Sequence, residues 1–96
     1  MLEGIGTLMF KLSKDIRLRH DKATDNYYLF CIKTGKHFEL NTMSYKIVTL
    51  LEKGMNKDSI IASISKDYYA DRGRCSKDID DFLKFLQKNE MIHVVD

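Results

Sequence analysis

Three histidines and two cysteines are the side chains of this 96-residue sequence best suited to hold a metal or attack a substrate: His20, His37, His93, Cys31 and Cys75. Their spacing serves neither chemistry. Metal sites draw on close pairs such as CxxC or HxxxH, which let one turn or one helix face offer two ligands together. No such pair occurs. Asp78, Asp80 and Asp81 are the densest group of carboxylates, and they read as the solvated start of a helix, where negative charge suits the helix dipole. No GxSxG, P-loop or GxGxxG is present, and Gly4, Gly6, Gly35, Gly54 and Gly73 each fit a turn or an element end. The expectation is a protein with no catalytic residues, no cofactor and no metal.

The bulk composition narrows the remaining classes. At 44% hydrophobic and 31% charged, the sequence is that of a folded domain and not of a disordered segment. No apolar run reaches the ~18–20 residues of a membrane span. The opening "MLEGIGTLMF" carries Glu3 and lacks a basic start, so it does not read as a signal peptide. Residues 1–9 are expected to be an N-terminal arm ahead of a single domain over 10–96, in a cytoplasmic protein without a membrane partner. Two cysteines fall short of a secreted disulfide framework, and both sit in apolar patterns, so buried free thiols are expected. The net charge of +2 divides into +2 for residues 1–40, +2 for 41–75 and −2 for 76–96, which makes the C-terminal end the acidic part.

Six elements should build the domain. "DIRLRH" alternates Ile16 and Leu18 with Arg17 and Arg19, as a half-buried strand does. "YYLFCIK" is aromatic and β-branched without polar alternation, which predicts a central strand covered on both faces. Gly35 then turns the chain into "HFEL", where Phe38 and Leu40 alternate with His37 and Glu39 and should point into the core. Helical spacing follows. The first helix begins at Asn41 or Thr42, carries Ile47, Val48 and Leu51, and stops at Gly54. The second is capped by Asn56, has Asp58 in its first turn, and shows a face of Ile60, Ile61, Ile64 and Tyr68. "YADRGR" breaks the pattern. The third is expected to start at Ser76 and to carry Ile79, Phe82, Leu83 and Leu86, with Asn89 ending it in a left-handed turn. "MIHVV" reads as an extended tail.

A short strand ending in Leu40-Asn41, helices with these apolar positions, and the closing Asp78-Ile79, Phe82-Leu83, Leu86 and Met91-Ile92 together resemble the PqqD-like family, the RiPP recognition elements. The resemblance covers about residues 10 to 92. It implies an α+β, winged-helix-like domain in which a three-stranded antiparallel meander precedes three helices. It also implies a function: binding the leader of a ribosomally made precursor peptide and presenting it to a modifying enzyme such as a leader peptidase, a cyclase or a radical SAM protein. "KTGKHFELN" is more similar to the stand-alone members of lasso-peptide pathways than to those of pyrroloquinoline quinone synthesis. Asn89 stands where a glycine is frequent in the family, and Lys57 where an apolar residue is usual.

The rival reading is a winged-helix DNA-binding regulator, whose third helix would face bases and phosphates with Arg, Lys, Asn or Gln. Here "SKDIDDF" sets three aspartates against one lysine, and such a surface repels phosphate. Nucleic acid is therefore not expected as a partner. The last strand of the meander instead leaves a row of backbone groups unpaired, which an extended peptide can satisfy by adding a strand.

The third helix should wall the resulting groove. With Ile79, Leu83 and Leu86 inward, Phe85 projects to one side beside Phe82, along a flank with Asp78, Asp81 and Lys88. Phe85 reads equally as a stray surface aromatic or as part of a wide core face. The expected peptide-binding residues are Lys36, His37, Phe38, Glu39, Leu40, Asp78, Asp81, Phe82, Phe85 and Lys88. In this scheme Phe82 and Phe85 take apolar leader side chains, while Lys36, His37 and Lys88 favour acidic ones. Backbone bonds are worth only ~0.5–1.5 kcal/mol each net, so about four of them need one or two buried anchors beside them.

Overall fold

The computed structural model of the chain describes residues 9–68 and 71–95. Its elements run β1 (Met9–Leu12), β2 (Ile16–Asp21), β3 (Asn26–Cys31), β4 (His37–Leu40), α1 (Thr42–Glu52), α2 (Lys57–Tyr68), α3 (Arg72–Lys88) and β5 (Ile92–Val95). The α+β, winged-helix-like arrangement holds. Strands β2, β3 and β4 form the antiparallel meander in that order, with Leu29 opposite Leu18 on one side and Phe38 on the other. Gly35 turns β3 into β4 at a φ of 77°, a conformation open to glycine without strain.

Two strands join the six expected elements. β1 and β5 pair antiparallel, with Phe10 opposite Val94 and Leu12 opposite Ile92. The stretch read as a tail therefore contains a strand, and Met9, assigned to the arm, belongs to β1; the rest of that arm, residues 1–8, lies outside the described residues. Four-residue strands are too short to show a period, and their pairing joins opposite ends of the chain, which local pattern cannot reveal. The pair seals one end of the core, where Phe10, Met91 and Ile92 are buried.

The helix caps follow the side-chain chemistry. The Asn41 side chain accepts from the Ser44 amide at 2.8 Å, and Asn56 accepts from the Ser59 amide at 2.8 Å. Gly54 leaves α1 at a φ of 86°. The start of α3 corrects the expectation. The cap is Asp71, whose carboxylate accepts from the Gly73 amide at 2.9 Å, so Arg72, Gly73 and Arg74 form the first turn and Asp78 falls in the second. The glycine made this stretch look like a break, but a capping carboxylate outweighs one poor helix former. The other end differs too. Asn89 has a φ of −92° and its side-chain amide donates to the Phe85 carbonyl at 2.8 Å, while the left-handed residue is Glu90 at 59°.

The core is the inward stripe of all three helices against one sheet face: Ile47, Val48 and Leu51, then Ile60, Ile61 and Ile64, then Cys75, Ile79, Leu83 and Leu86, with Leu29 from β3. Two further expectations fail here. Tyr68 is 46% exposed, with the Lys46 ammonium 5.7 Å from its ring centroid. β3 is covered on one face only: Leu29 is buried, whereas Tyr28 and Phe30, pointing the other way, stay half-buried. An aromatic run suits either a two-sided core or an open sheet face, and so small a domain supplies the second.

Lys57 has a structural role. Its ammonium pairs with Asp80 across the α2–α3 contact, and Lys84 meets the other Asp80 oxygen at 3.0 Å. Lys57 first, then Lys84, hold the Asp80 carboxyl below its ordinary pKa.

Candidate peptide-binding groove

β4 is an edge strand, and the hydrogen-bond ladder decides which of its backbone groups are free. The Cys31 amide donates to the Lys36 carbonyl at 2.8 Å, and the register continues with Phe30 opposite His37 and Leu29 opposite Phe38. In an antiparallel ladder, residues alternate between bonding the neighbour and facing away. Phe38 and Leu40 therefore turn their N–H and C=O groups toward β3, and His37 and Glu39 turn theirs to the open edge. Side chains follow the opposite logic: Phe38 and Leu40 lie on the helix-side face, His37 and Glu39 on the outer one.

Phe38 is not a core residue, contrary to the expectation. It is 36% exposed and meets the ring of Phe85, itself 45% exposed, edge-on at a centroid distance of 5.9 Å. Alternation fixes the face a residue takes but not how deeply it sits. Phe38 is on the buried face at the rim, where the sheet edge looks across to α3. The two rings meet beside the open edge of β4.

An open cavity of about 650 Å³ lies at the β3–β4 turn and the end of α3. Its apolar floor is formed by the buried Ile16, Leu29, Met91 and Ile92, with the exposed Phe38 at one side, and its rim carries Lys14, Lys33, Lys36, Lys88, Asp15 and Glu90. That volume is in the range of small-ligand pockets. Cys31 is in the wall, half-buried rather than buried as expected. The Thr34 hydroxyl beside it holds its thiol below the ordinary value, whereas burial pushes the Cys75 thiol up.

Of the ten expected residues, the cavity gathers Lys36, Phe38 and Lys88. Phe85 joins them through its contact with Phe38. Leu40 and Phe82 are partly buried and pack against the core. His37 and Glu39 place their side chains in a separate shallow depression on the outer sheet face, with Tyr28 and Phe30, and contribute only backbone to the groove edge. Asp78 is half-buried on α3, and Asp81 is exposed and paired with Lys77 at 3.1 Å. Sequence reasoning missed Lys14 and Lys33, which sit in turns, and the floor residues Met91 and Ile92, whose place depends on the β1–β5 pair. Among the described residues no three metal-binding side chains converge, and no helix is long and apolar enough to cross a membrane.

The earlier start of α3 also corrects the charge argument against DNA. Arg72 and Arg74 now belong to the helix, so it is not acidic as a whole, and the choice between partners falls to the strand edge.

Three comparisons bear on that choice. A family model described as coenzyme PQQ synthesis protein D (PqqD) matches residues 26–92. Among solved structures, the chain is similar to TbiB1 in complex with the TbiA(beta) leader peptide, at 30% identity and a TM-score of 0.76, covering 86% of this chain and 94% of that one. It is also similar in fold to a lasso peptide synthetase B1 complexed with the leader peptide, at 21% identity and a TM-score of 0.78, covering 88% of this chain and 96% of that one. No curated protein gives a significant match.

Proposed function

We propose, since the chain belongs to the PqqD family, that it is a RiPP recognition element: it captures the leader of a ribosomally synthesised precursor peptide and presents it to a modifying or processing enzyme. The observation that carries this reading is the free edge of β4 beside α3. His37 and Glu39 offer two donors and two acceptors in the alternation a fourth strand needs, and Phe38 and Phe85 offer an apolar wall next to them. The backbone bonds set register and direction; the apolar side chains supply the energy those bonds lack. TbiB1, the 30% identical relative, is itself a complex with a leader peptide, which supports the same role here. A lasso-peptide pathway is the favoured setting, and a leader peptidase or cyclase the favoured enzyme to receive the peptide. The chain's own part is non-catalytic. It holds the leader in an extended form so that the remainder of the precursor reaches the enzyme at high effective concentration.

The test is fluorescence anisotropy with labelled lasso-precursor leader peptides, including any encoded in the same gene neighbourhood, set against gel shift with duplex DNA. Saturable leader binding that weakens less than about tenfold between 50 and 200 mM salt supports the reading. A loss of roughly 10³-fold over that range, or binding to DNA alone, points to phosphate contacts and overturns it.

A further inference from the structure

We infer that the cavity at the end of the groove is a charge-selecting subsite, which takes a leader segment carrying carboxylates beside an apolar residue. The inference rests on the leader-capture reading and names the chemistry of the peptide it selects. Lys14 precedes β2, Lys33 sits in the turn after β3 and Lys36 just before β4, and Lys88 ends α3, so three separate parts of the chain bring cations to one rim. Among the described residues, none of the four is ion-paired, whereas Lys46, Lys57, Lys77 and Lys84 each hold an aspartate. An arriving carboxylate displaces no existing partner. Asp15, Glu90 and His93 share the rim, so four lysines stand there with two carboxylates.

The apolar floor separates this subsite from a general anion-binding surface. An apolar side chain can fill the floor while neighbouring carboxylates stay at the wet rim among the lysines. A single exposed ion pair contributes little, but several cations around one mouth raise the local potential and penalise a basic peptide by repulsion. Asp15 and Glu90 disfavour a continuous row of phosphates, whereas a peptide can place its carboxylates individually. The favoured partner is therefore an acidic-apolar peptide segment.

The experiment selects a displayed library of random peptides against the wild-type protein and against Lys36→Glu/Lys88→Glu. Both lysines are exposed, and thermal melts of the charge-reversed protein and of Lys36→Gln/Lys88→Gln establish that each is folded. The expected result is enrichment of Asp and Glu next to an apolar residue on the wild type, and a shift toward Lys and Arg on the reversed protein. A selected acidic peptide should bind the reversed protein about tenfold more weakly or worse. Peptides that bind competitively with the leader but show no acidic bias, or a bias the reversal leaves unchanged, overturn the subsite and leave leader capture standing. Selection of no peptide at all, or duplex DNA binding that the reversal abolishes, overturns both.

Discussion

Phe38 on β4 and Phe85 on α3 meet edge-on, with ring planes at 80° and centroids 5.9 Å apart, although each ring is more than a third exposed. An aromatic pair of this geometry is worth about 0.5–1.5 kcal/mol beyond the area it buries. Solvent lies over both rings, so little of the fold depends on the contact. Phe85→Ala should therefore lower stability by about 1–3 kcal/mol in a denaturant titration, the pair and its buried area together, which is less than the loss of a fully buried Phe. It should weaken leader binding by about 1–3 kcal/mol, as loss of an interface aromatic does. A folded Phe85→Ala protein with unchanged leader affinity would remove Phe85 from the groove, and a collapse in stability would make it a core residue.

The two thiols should separate cleanly. Cys75 is fully buried, with its sulfur 3.8 Å from the Ile61 carbonyl oxygen, whereas Cys31 is half-buried in the cavity wall. Cys75→Ser should cost about 1–3 kcal/mol and Cys31→Ser much less, because only the first hydroxyl is shut away from water. In native protein a maleimide should label Cys31 first, and leader binding should slow it. Equal labelling of both residues, or no protection of Cys31 by leader, contradicts this placement.

Asp80 sets a pH dependence. Its folded pKa is depressed by Lys57 and Lys84, so its contribution is complete above the ordinary carboxylate pKa of about 3.9 and is lost as pH falls through the folded value. The melting temperature of wild type should exceed that of Asp80→Asn at pH 6, with the gap closing toward pH 3. A gap that stays constant or widens in acid would show that Asp80 is not held as an anion. Asp67, lowered by Lys46, titrates in the same direction in both proteins and drops out of the comparison.

The ladder parity makes proline a selective probe. Glu39→Pro removes an N–H that faces the open edge, so the domain should fold and leader binding should fall. Phe38→Pro removes an N–H bonded to β3 and should destabilise the sheet itself. If Glu39→Pro binds the leader as well as wild type does, the added strand does not pair with β4 as described.

Much of this was legible in the sequence because the signals were local. Period two in "HFEL", period 3.6 in the helices, and Asn41, Asn56, Gly35 and Gly54 at their ends specify the elements around the groove. The misses share one cause, a dependence on tertiary context. β1 and β5 are strands only because they meet each other. Arg72–Arg74 is helical because Asp71 caps it and Cys75 has a core to enter. Phe38 has the right face for burial, but its depth depends on how far α3 stands from the sheet edge. Lys14 and Lys33 carry no periodic signal, and only the closed fold brings them beside Lys36 and Lys88.

Amide hydrogen exchange of His37 and Glu39 in the free and leader-bound protein tests strand addition most directly. In the free protein both amides face the open edge and should exchange far faster than those of Phe38 and Leu40, which are bonded to β3. Saturating leader should protect His37 and Glu39 strongly and change Phe38 and Leu40 little. His37 and Glu39 amides that still exchange rapidly in the saturated complex would show that the leader binds without joining the sheet, and would contradict the account.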